Sequence, residues 1–66
     1  MPFVNIRIVK DVVTADQKSQ LIQGVTDLLV RILDKDPKQT VVIIDEVSTD
    51  NWGIDGKSVT EINTSI

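Results

Sequence analysis

Cysteine and histidine are absent from the 66 residues, and the only aromatic side chains are Phe3 and Trp52. Without cysteine there is no disulfide and no thiolate nucleophile, and without either residue the usual zinc sites are excluded. Seven Lys and Arg residues are outnumbered by ten Asp and Glu and are scattered. Nucleic-acid binding needs a concentrated positive surface, and a membrane span needs roughly 18 apolar residues in a row, so we expect neither function.

The chain does have a high apolar content for its size, because 41% of its residues are hydrophobic. A domain this short buries only about 60% of its unfolded surface. Such scaffolds usually depend on disulfides, a metal or oligomerisation. We therefore expect a single domain over residues 1–66 that is stable as an oligomer. The first residues lack a basic region followed by an apolar segment, which predicts a cytoplasmic protein.

Residues 3–9 alternate between aliphatic side chains at the even positions and mixed side chains at the odd positions. A period of two predicts a strand whose aliphatic face packs on a helix. The other face carries Phe3 and Val9 beside two polar groups, which suits a subunit interface. Arg7 on that face could be a solvated edge residue, an interface ion pair or a substrate-binding cation.

The middle of the chain predicts a helix and a second strand. Thr14 and Gln17 have the spacing of a capping box, which predicts a helix from about Ala15 to Leu33. Residues 40–47 include a continuous β-branched run, typical of a strand in a parallel sheet that is buried on both faces. Strand, helix and strand in this order predict a β-α-β unit with a right-handed crossover.

The last third of the chain is marked by Gly53 and Gly56, which indicate turns. Trp52 and Ile54 alternate across a short predicted strand, so we expect a small hairpin that folds over a neighbouring subunit. Trp52 could line a pocket or fill an interface. Residues 59–66 have no periodic pattern and are expected to form an arm or a loose tail.

Pro2 is the residue on which a catalytic hypothesis depends. A small second residue normally permits removal of the initiator Met, which would leave Pro2 as a free secondary amine at the start of a strand. A free α-amine titrates at roughly 8, and burial in an apolar pocket lowers its pKa. Such an amine could act as a general base near neutral pH. Alternatively, Pro2 only occupies a strand start, where proline is tolerated.

Other catalytic arrangements are missing. Without histidine or cysteine there is no Ser-His-Asp set and no cysteine nucleophile, and no glycine-rich phosphate loop is present. Asp45 and Glu46 form a carboxylate pair, but neighbours on a strand point to opposite faces. We expect them to end a strand rather than share a proton.

Four features in order resemble the 4-oxalocrotonate tautomerase family: Pro2 before a strand, the helix start at 14–18, the strand at 41–46 and the hairpin at 51–56. The resemblance covers residues 2 to about 58. It implies an α+β fold with a β-α-β protomer and a C-terminal hairpin, paired into four-stranded sheets and commonly assembled as a hexamer. It also implies that Pro2 moves a proton within a small enol or dienol acid, such as 2-hydroxymuconate, without a metal or organic cofactor.

The resemblance also implies roles for two apolar residues. Trp52 falls where the family has an aromatic side chain that keeps the pocket apolar and the pKa of the proline amine low. Val9 falls where the family has an apolar pocket wall.

The sequence departs from the family at two arginines, which hold the substrate carboxylate and polarise its carbonyl in the best-known members. They would fall near Val12 or Val13 and at Val41, and neither position is Arg here. Lys10 and Arg7 are the nearest candidates to replace them. Losing both arginines would weaken electrostatic stabilisation of the enolate.

Three functional hypotheses therefore stay open at this point. The first is a tautomerase that uses Pro2 as its base. The second keeps Pro2 but changes the reaction to hydration, dehalogenation or decarboxylation of a small unsaturated acid. The third is an assembly protein of the same fold that has no catalytic role.

Overall fold

The computed structural model describes residues 1–64. Its elements are β1 (Phe3–Val9), α1 (Ala15–Leu33), β2 (Val41–Val47), β3 (Gly53–Ile54), β4 (Lys57–Ser58) and α2 (Val59–Thr64), with single turns of 3-10 helix at Pro37–Gln39 and Thr49–Asn51. β1 and β2 pair in parallel, and β3 and β4 form an antiparallel hairpin. The predicted β-α-β protomer with a C-terminal hairpin is confirmed.

Both ends of α1 lie where their local chemistry places them. The Thr14 hydroxyl accepts a hydrogen bond from the Gln17 backbone N–H at 3.1 Å, and the Gln17 side chain accepts one from the Thr14 N–H at 2.9 Å. Asp34 ends the helix in the left-handed region with φ 54°, and its N–H donates to the Val30 carbonyl at 3.0 Å. No helix within residues 1–64 combines the length and apolar character needed to cross a bilayer.

The parallel register runs from the pair Phe3 and Val41 to the pair Val9 and Val47. Side chains alternate along each strand, so even positions share one face and odd positions share the other. The even face, which we call the inner face, carries the ion pair that Lys18 of α1 makes with Glu46 of β2. We call the odd face, which points away from α1, the outer face.

The two carboxylates of β2 separate as expected. Glu46 pairs with Lys18 on the inner face, whereas Asp45 contacts Asn5 and Arg7 on the outer face. The prediction that this carboxylate pair does not act as one unit is therefore confirmed.

A single chain does not build a core. No side chain within residues 1–64 is buried, and Val41 and Ile43 are 37% and 40% exposed on the outer face. The chain exposes 5165 Å², against roughly 4,200 Å² for a compact protein of its mass. Its radius of gyration is 15.4 Å, where roughly 11 Å is usual for this length. One chain has no second layer over the outer face, so the burial of β2 on both faces stays a prediction for the assembled protein.

The C-terminal segment is more ordered than its sequence indicates. Asp55 and Gly56 have φ of 54° and 81°, which suits the two-residue turn that connects β3 and β4. Val59–Thr64 is helical rather than a loose tail. Ser58 starts this helix, because its hydroxyl accepts from the Glu61 N–H at 3.2 Å. Residues 65–66 of the predicted tail lie outside the described residues.

The Lys18–Glu46 ion pair should contribute to stability because it lies between helix and sheet, with side chains 33% and 26% exposed. We expect Glu46→Gln to lower the free energy of unfolding by about 1–3 kcal/mol, since the ammonium loses its charged partner. The double variant Lys18→Met/Glu46→Leu should recover part of that loss. Urea unfolding measures the free energy of unfolding of the single and the double variant, and Lys35→Met is the control at an exposed lysine. Equal losses in Glu46→Gln and the control would contradict the expectation.

Candidate active site

Pro2 is held at the N-terminal edge of the sheet. It is half-buried, and its carbonyl accepts a hydrogen bond from the Val41 N–H at 3.0 Å. Met1 is 88% exposed. While Met1 is attached, the Pro2 nitrogen is an amide without a basic lone pair. Removal of Met1 would leave a secondary amine on Pro2, a residue that is already attached to both strands.

Val9 and Lys10 lie at the opposite end of the sheet. Val9 is the last residue of β1 and pairs with Val47. The Lys10 N–H donates to the Val47 carbonyl at 2.7 Å, and the residue is exposed. A strand of seven residues at about 3.3 Å per residue is roughly 20 Å long. Pro2 and Lys10 of the same chain are therefore at different ends of the sheet.

Arg7 lies on the outer face and has a partner. Its Nη2 atom is 3.5 Å from Oδ2 of Asp45, and that carboxylate oxygen also accepts from the Asn5 side-chain amide at 2.8 Å. Of the three possibilities left open for Arg7, the structure contains an ion pair, and its partner is in the same chain. The Arg7 side chain is 65% exposed in the isolated chain.

Trp52 follows the 3-10 turn at Thr49–Asn51 and directly precedes β3. It is half-buried, and its carbonyl accepts from the Val59 N–H at 2.8 Å. Because it comes soon after the C-terminal end of β2, its segment starts from the Val9 end of the sheet and not from the Pro2 end.

An open groove of about 560 Å³ lies between the connection after β1 and the first turns of α1. Its lining residues are Val12, Val13, Gln17, Gln20 and Leu21. Two of these are the valines near which a family arginine would fall, and Val12 is 90% exposed. This groove was not predicted from the sequence. The feature that pointed to it is the apolar pair Val12 and Val13, which lies in a connection where apolar side chains are not required.

The predicted site residues therefore lie at three separate positions along the sheet. Pro2 stands alone at one end of the sheet, Arg7 is in the middle, and Val9, Lys10 and the segment of Trp52 belong to the other end. The structure of one chain does not bring the proposed base and the proposed substrate-binding residues together.

Comparison with known proteins gives consistent matches along nearly the whole chain. The family model described as "Tautomerase enzyme" matches residues 2–62. A "probable tautomerase K2" from Dickeya dadantii is 75% identical over 61 residues, which cover 92% of this chain and 91% of that protein. A "probable tautomerase" from Helicobacter pylori is 51% identical over 61 residues, with coverage of 89% and 90%.

Solved structures agree with the fold. The crystal structure of DmpI from Helicobacter pylori superposes with a TM-score of 0.87 and 45% identity, covering 98% of this chain and all of that one. A 4-oxalocrotonate tautomerase isozyme from Methylibium petroleiphilum has a TM-score of 0.90 at 22% identity, with coverage of 98% and 100%. A 4-oxalocrotonate tautomerase from Chloroflexus aurantiacus, described as a heterohexamer, has a TM-score of 0.83 at 22% identity, with coverage of 94% and 98%.

Proposed function

The chain belongs to the tautomerase family, and on that premise we propose that it is an isomerase that uses mature Pro2 as a general base. Its substrate is a small enol or dienol carboxylic acid of the 2-hydroxymuconate type. The Pro2 nitrogen takes the proton from the enol hydroxyl, and the resulting ammonium returns a proton to a carbon of the conjugated system. The product is the keto acid, and no atom is gained or lost.

The observation that carries this proposal is the anchoring of Pro2. The hydrogen bond from the Val41 N–H to the Pro2 carbonyl holds the residue at the start of β1. A terminal residue would otherwise fray, and a mobile amine could not stay within hydrogen-bond reach of a substrate proton. The pyrrolidine ring also prevents rotation about the N–Cα bond of proline. Only rotation about the Cα–C bond can change where the nitrogen points, and the hydrogen bond to the Pro2 carbonyl restricts that rotation. The amine is therefore presented in one direction.

We propose that the site is completed by other copies of the chain, in a homohexamer. The groove, Lys10 and the segment of Trp52 belong to one end of the sheet, and Pro2 belongs to the other. Assembly that brings these ends of different chains together would join base and binding residues. The excess exposed surface of roughly 1,000 Å² exceeds the roughly 800 Å² that each partner contributes to a stable interface.

The groove suits a small acid with a conjugated chain. Its volume of about 560 Å³ falls in the range of ligand sites, roughly 300–1,000 Å³. Val12, Val13 and Leu21 give the groove apolar surface, and Gln17 and Gln20 add side-chain amides to it. Apolar walls would also keep water from the Pro2 amine of a neighbouring chain and so lower its pKa.

Lys10 is the better candidate for holding the substrate carboxylate. Arg7 already shares its charge with Asp45 at 3.5 Å, and it is in mid-strand. Lys10 is exposed and precedes Val12, a lining residue of the groove, by two positions. Its ammonium forms no ion pair with any residue of the described range 1–64. It can therefore bind a carboxylate without first giving up another partner.

Lys10→Met should lower kcat/KM about 10- to 100-fold, the usual cost of losing a hydrogen bond to a charged group. Methionine keeps an unbranched side chain, one heavy atom shorter, and removes the ammonium with its charge and its N–H donors. A rise in KM alone would mean that Lys10 only binds, whereas a lower kcat would mean that it also stabilises the enolate. Steady-state kinetics measures this, with Lys35→Met as a control. An unchanged kcat/KM in Lys10→Met would exclude Lys10 as the carboxylate ligand.

The proposed reaction is tested by following enol-to-keto conversion of 2-hydroxymuconate and phenylenolpyruvate by absorbance. Halide release from a 3-halogenated unsaturated acid and release of carbon dioxide from the keto product are measured in parallel. Conversion of the enols without halide or carbon dioxide supports the tautomerase. Release of either product with no enol conversion would favour the other Pro2-dependent reactions. No turnover of any substrate would favour an assembly protein.

A further inference from the structure

The segment that carries Trp52 is joined to the start of α2 by both backbone and side-chain hydrogen bonds. We call residues 48–64 the C-terminal arm. On the backbone, the Val59 N–H donates to the Trp52 carbonyl at 2.8 Å. On the side chains, the Thr60 hydroxyl lies 2.6 Å from the Thr49 hydroxyl and donates to an Asp50 carboxylate oxygen at 2.5 Å. The start of α2 is thus attached to the 3-10 turn that precedes Trp52.

The direction of these side-chain hydrogen bonds follows from counting protons. A threonine hydroxyl has one proton to donate, and that of Thr60 goes to the Asp50 carboxylate. The contact with Thr49 must then be made by the Thr49 proton, which Thr60 accepts. Thr60 is the only member that both accepts and donates. Removing its hydroxyl therefore breaks both bonds, whereas removing that of Thr49 breaks one.

The hydrogen bonds from Thr49 through Thr60 to Asp50, which we call the relay, matter because Trp52 and the hairpin lie between the residues that they join. Thr49 and Asp50 come just before Trp52, and Thr60 comes after the β3–β4 hairpin. The Thr49–Thr60 contact is half-buried, so water competes with it less than with an exposed bond. The relay therefore limits how far the turn before Trp52 and the start of α2 can separate. Without it, α2 is joined to this segment through the Trp52 carbonyl and the chain itself.

We infer that Thr60 is a positioning residue, which holds the C-terminal arm in the shape that presents the Trp52 indole to the Pro2 pocket of a neighbouring subunit. This inference rests on the proposed function, in which Trp52 is part of that pocket. Thr60 acts through Trp52 and need not contact the substrate.

Trp52 is the only tryptophan, so its fluorescence reports this position directly and without any substrate. Thr60→Val removes both side-chain hydrogen bonds, each of which corresponds to about a two- to tenfold change in the equilibrium between the closed and the open arm. The acrylamide quenching constant of Trp52 should therefore rise at least about twofold in this variant. Thr49→Val should raise it less. Thr60→Ser keeps the hydroxyl and should restore the wild-type value. Thr64→Val is the matched control, because among residues 1–64 the Thr64 hydroxyl bonds to carbonyls of α2 alone.

The second readout is the pH dependence of kcat/KM for enol conversion. Only the neutral Pro2 amine is a base, so the rate rises with pH through the pKa of that amine. A displaced indole admits water, and the pKa then moves up toward its ordinary value of roughly 8. The rising limb in Thr60→Val should shift to higher pH, as it should in Trp52→Ala. Thr60→Ser and Thr64→Val should keep the wild-type profile.

The two readouts separate the failure of this inference from failure of the proposed function. Unchanged quenching in both Thr60→Val and Thr49→Val would overturn the inference, whether or not the protein is active. A shifted pH profile in Trp52→Ala but not in folded Thr60→Val would also overturn it and would leave the tautomerase intact. If Thr60→Val does not fold, Thr49→Val and Thr60→Ser still test the inference. The relay requires the quenching constant of Trp52 to rise in Thr49→Val and to keep the wild-type value in Thr60→Ser, so equal constants in these two variants would overturn it.

Discussion

Acetylation of the Pro2 nitrogen is expected to remove nearly all tautomerase activity, about 10²- to 10⁴-fold, the usual contribution of one positioned proton-transfer group. The acetyl group converts the amine into an amide and removes its basic lone pair. It leaves the Pro2 carbonyl free to accept the hydrogen bond from Val41, so the anchoring to the sheet is retained. The measurement is kcat/KM for enol conversion, with the intact mass recorded to establish that Met1 is gone.

Pro2→Ala is the matched variant for this experiment. It keeps an N-terminal amine but replaces a secondary amine by a primary one that is less restricted in orientation, so it should lose only part of the rate. A preparation that retains Met1 should behave like the acetylated protein, since its Pro2 nitrogen is also an amide. Circular dichroism and sedimentation verify that all forms are folded and assembled. Full activity of the acetylated protein would mean that Pro2 is not the base.

Ile43→Asp is expected to dissociate the oligomer or prevent folding. Ile43 lies on the outer face and is 40% exposed in the single chain. In a monomer, an exposed aspartate there would change stability by no more than about 0.5 kcal/mol. In an assembly that covers the outer face, each subunit would bury an unpaired carboxylate, which costs several kcal/mol. Analytical ultracentrifugation at micromolar concentration, together with circular dichroism, distinguishes these outcomes.

Two controls accompany this variant. Gln39→Asp adds the same charge on the exposed 3-10 turn outside the sheet, and it should leave the assembly unchanged. Ile43→Val keeps the site apolar and should cost only about 0.5–1.5 kcal/mol. If Ile43→Asp sediments like an oligomeric wild type, the outer face is not a subunit interface. If the wild type itself is a stable folded monomer, the hexamer is wrong.

The elements of the fold could be predicted because their signals are local. The capping box of Thr14 and Gln17 places the start of α1 at Ala15, and the observed hydrogen bonds are those that the spacing predicts. Alternation in β1 correctly separates the inner face from the outer one. The helix at Val59–Thr64 was not predicted, because one turn of capped helix depends on Ser58 and its neighbours rather than on any apolar period.

The candidate site was only partly predictable because its members are distant in sequence and do not meet in one chain. Pro2 was found from its chemistry, since it is the one unusual base available to a chain without histidine. The partner of Arg7 depends on the register of two strands separated by a helix, and a shift of one residue would place Asp45 on the other face. The groove depends on how the connection after β1 packs on α1, and the apolar pair Val12 and Val13 does not by itself determine that packing.

By itself, then, the sequence determined the β-α-β order, the bounds of α1, the exclusion of disulfides and the candidacy of Pro2, because each depends on residue type or short-range spacing. The tertiary structure alone decided that the Lys10 N–H bonds to the Val47 carbonyl, which places Lys10 and the segment after β2 at the same end of the sheet. It also decided that Arg7 is paired with Asp45, that Thr60 joins α2 to the turn before Trp52, and that one chain leaves the outer face uncovered. These facts depend on strand register and on which layers one chain can supply, and both are set by contacts between residues far apart along the chain.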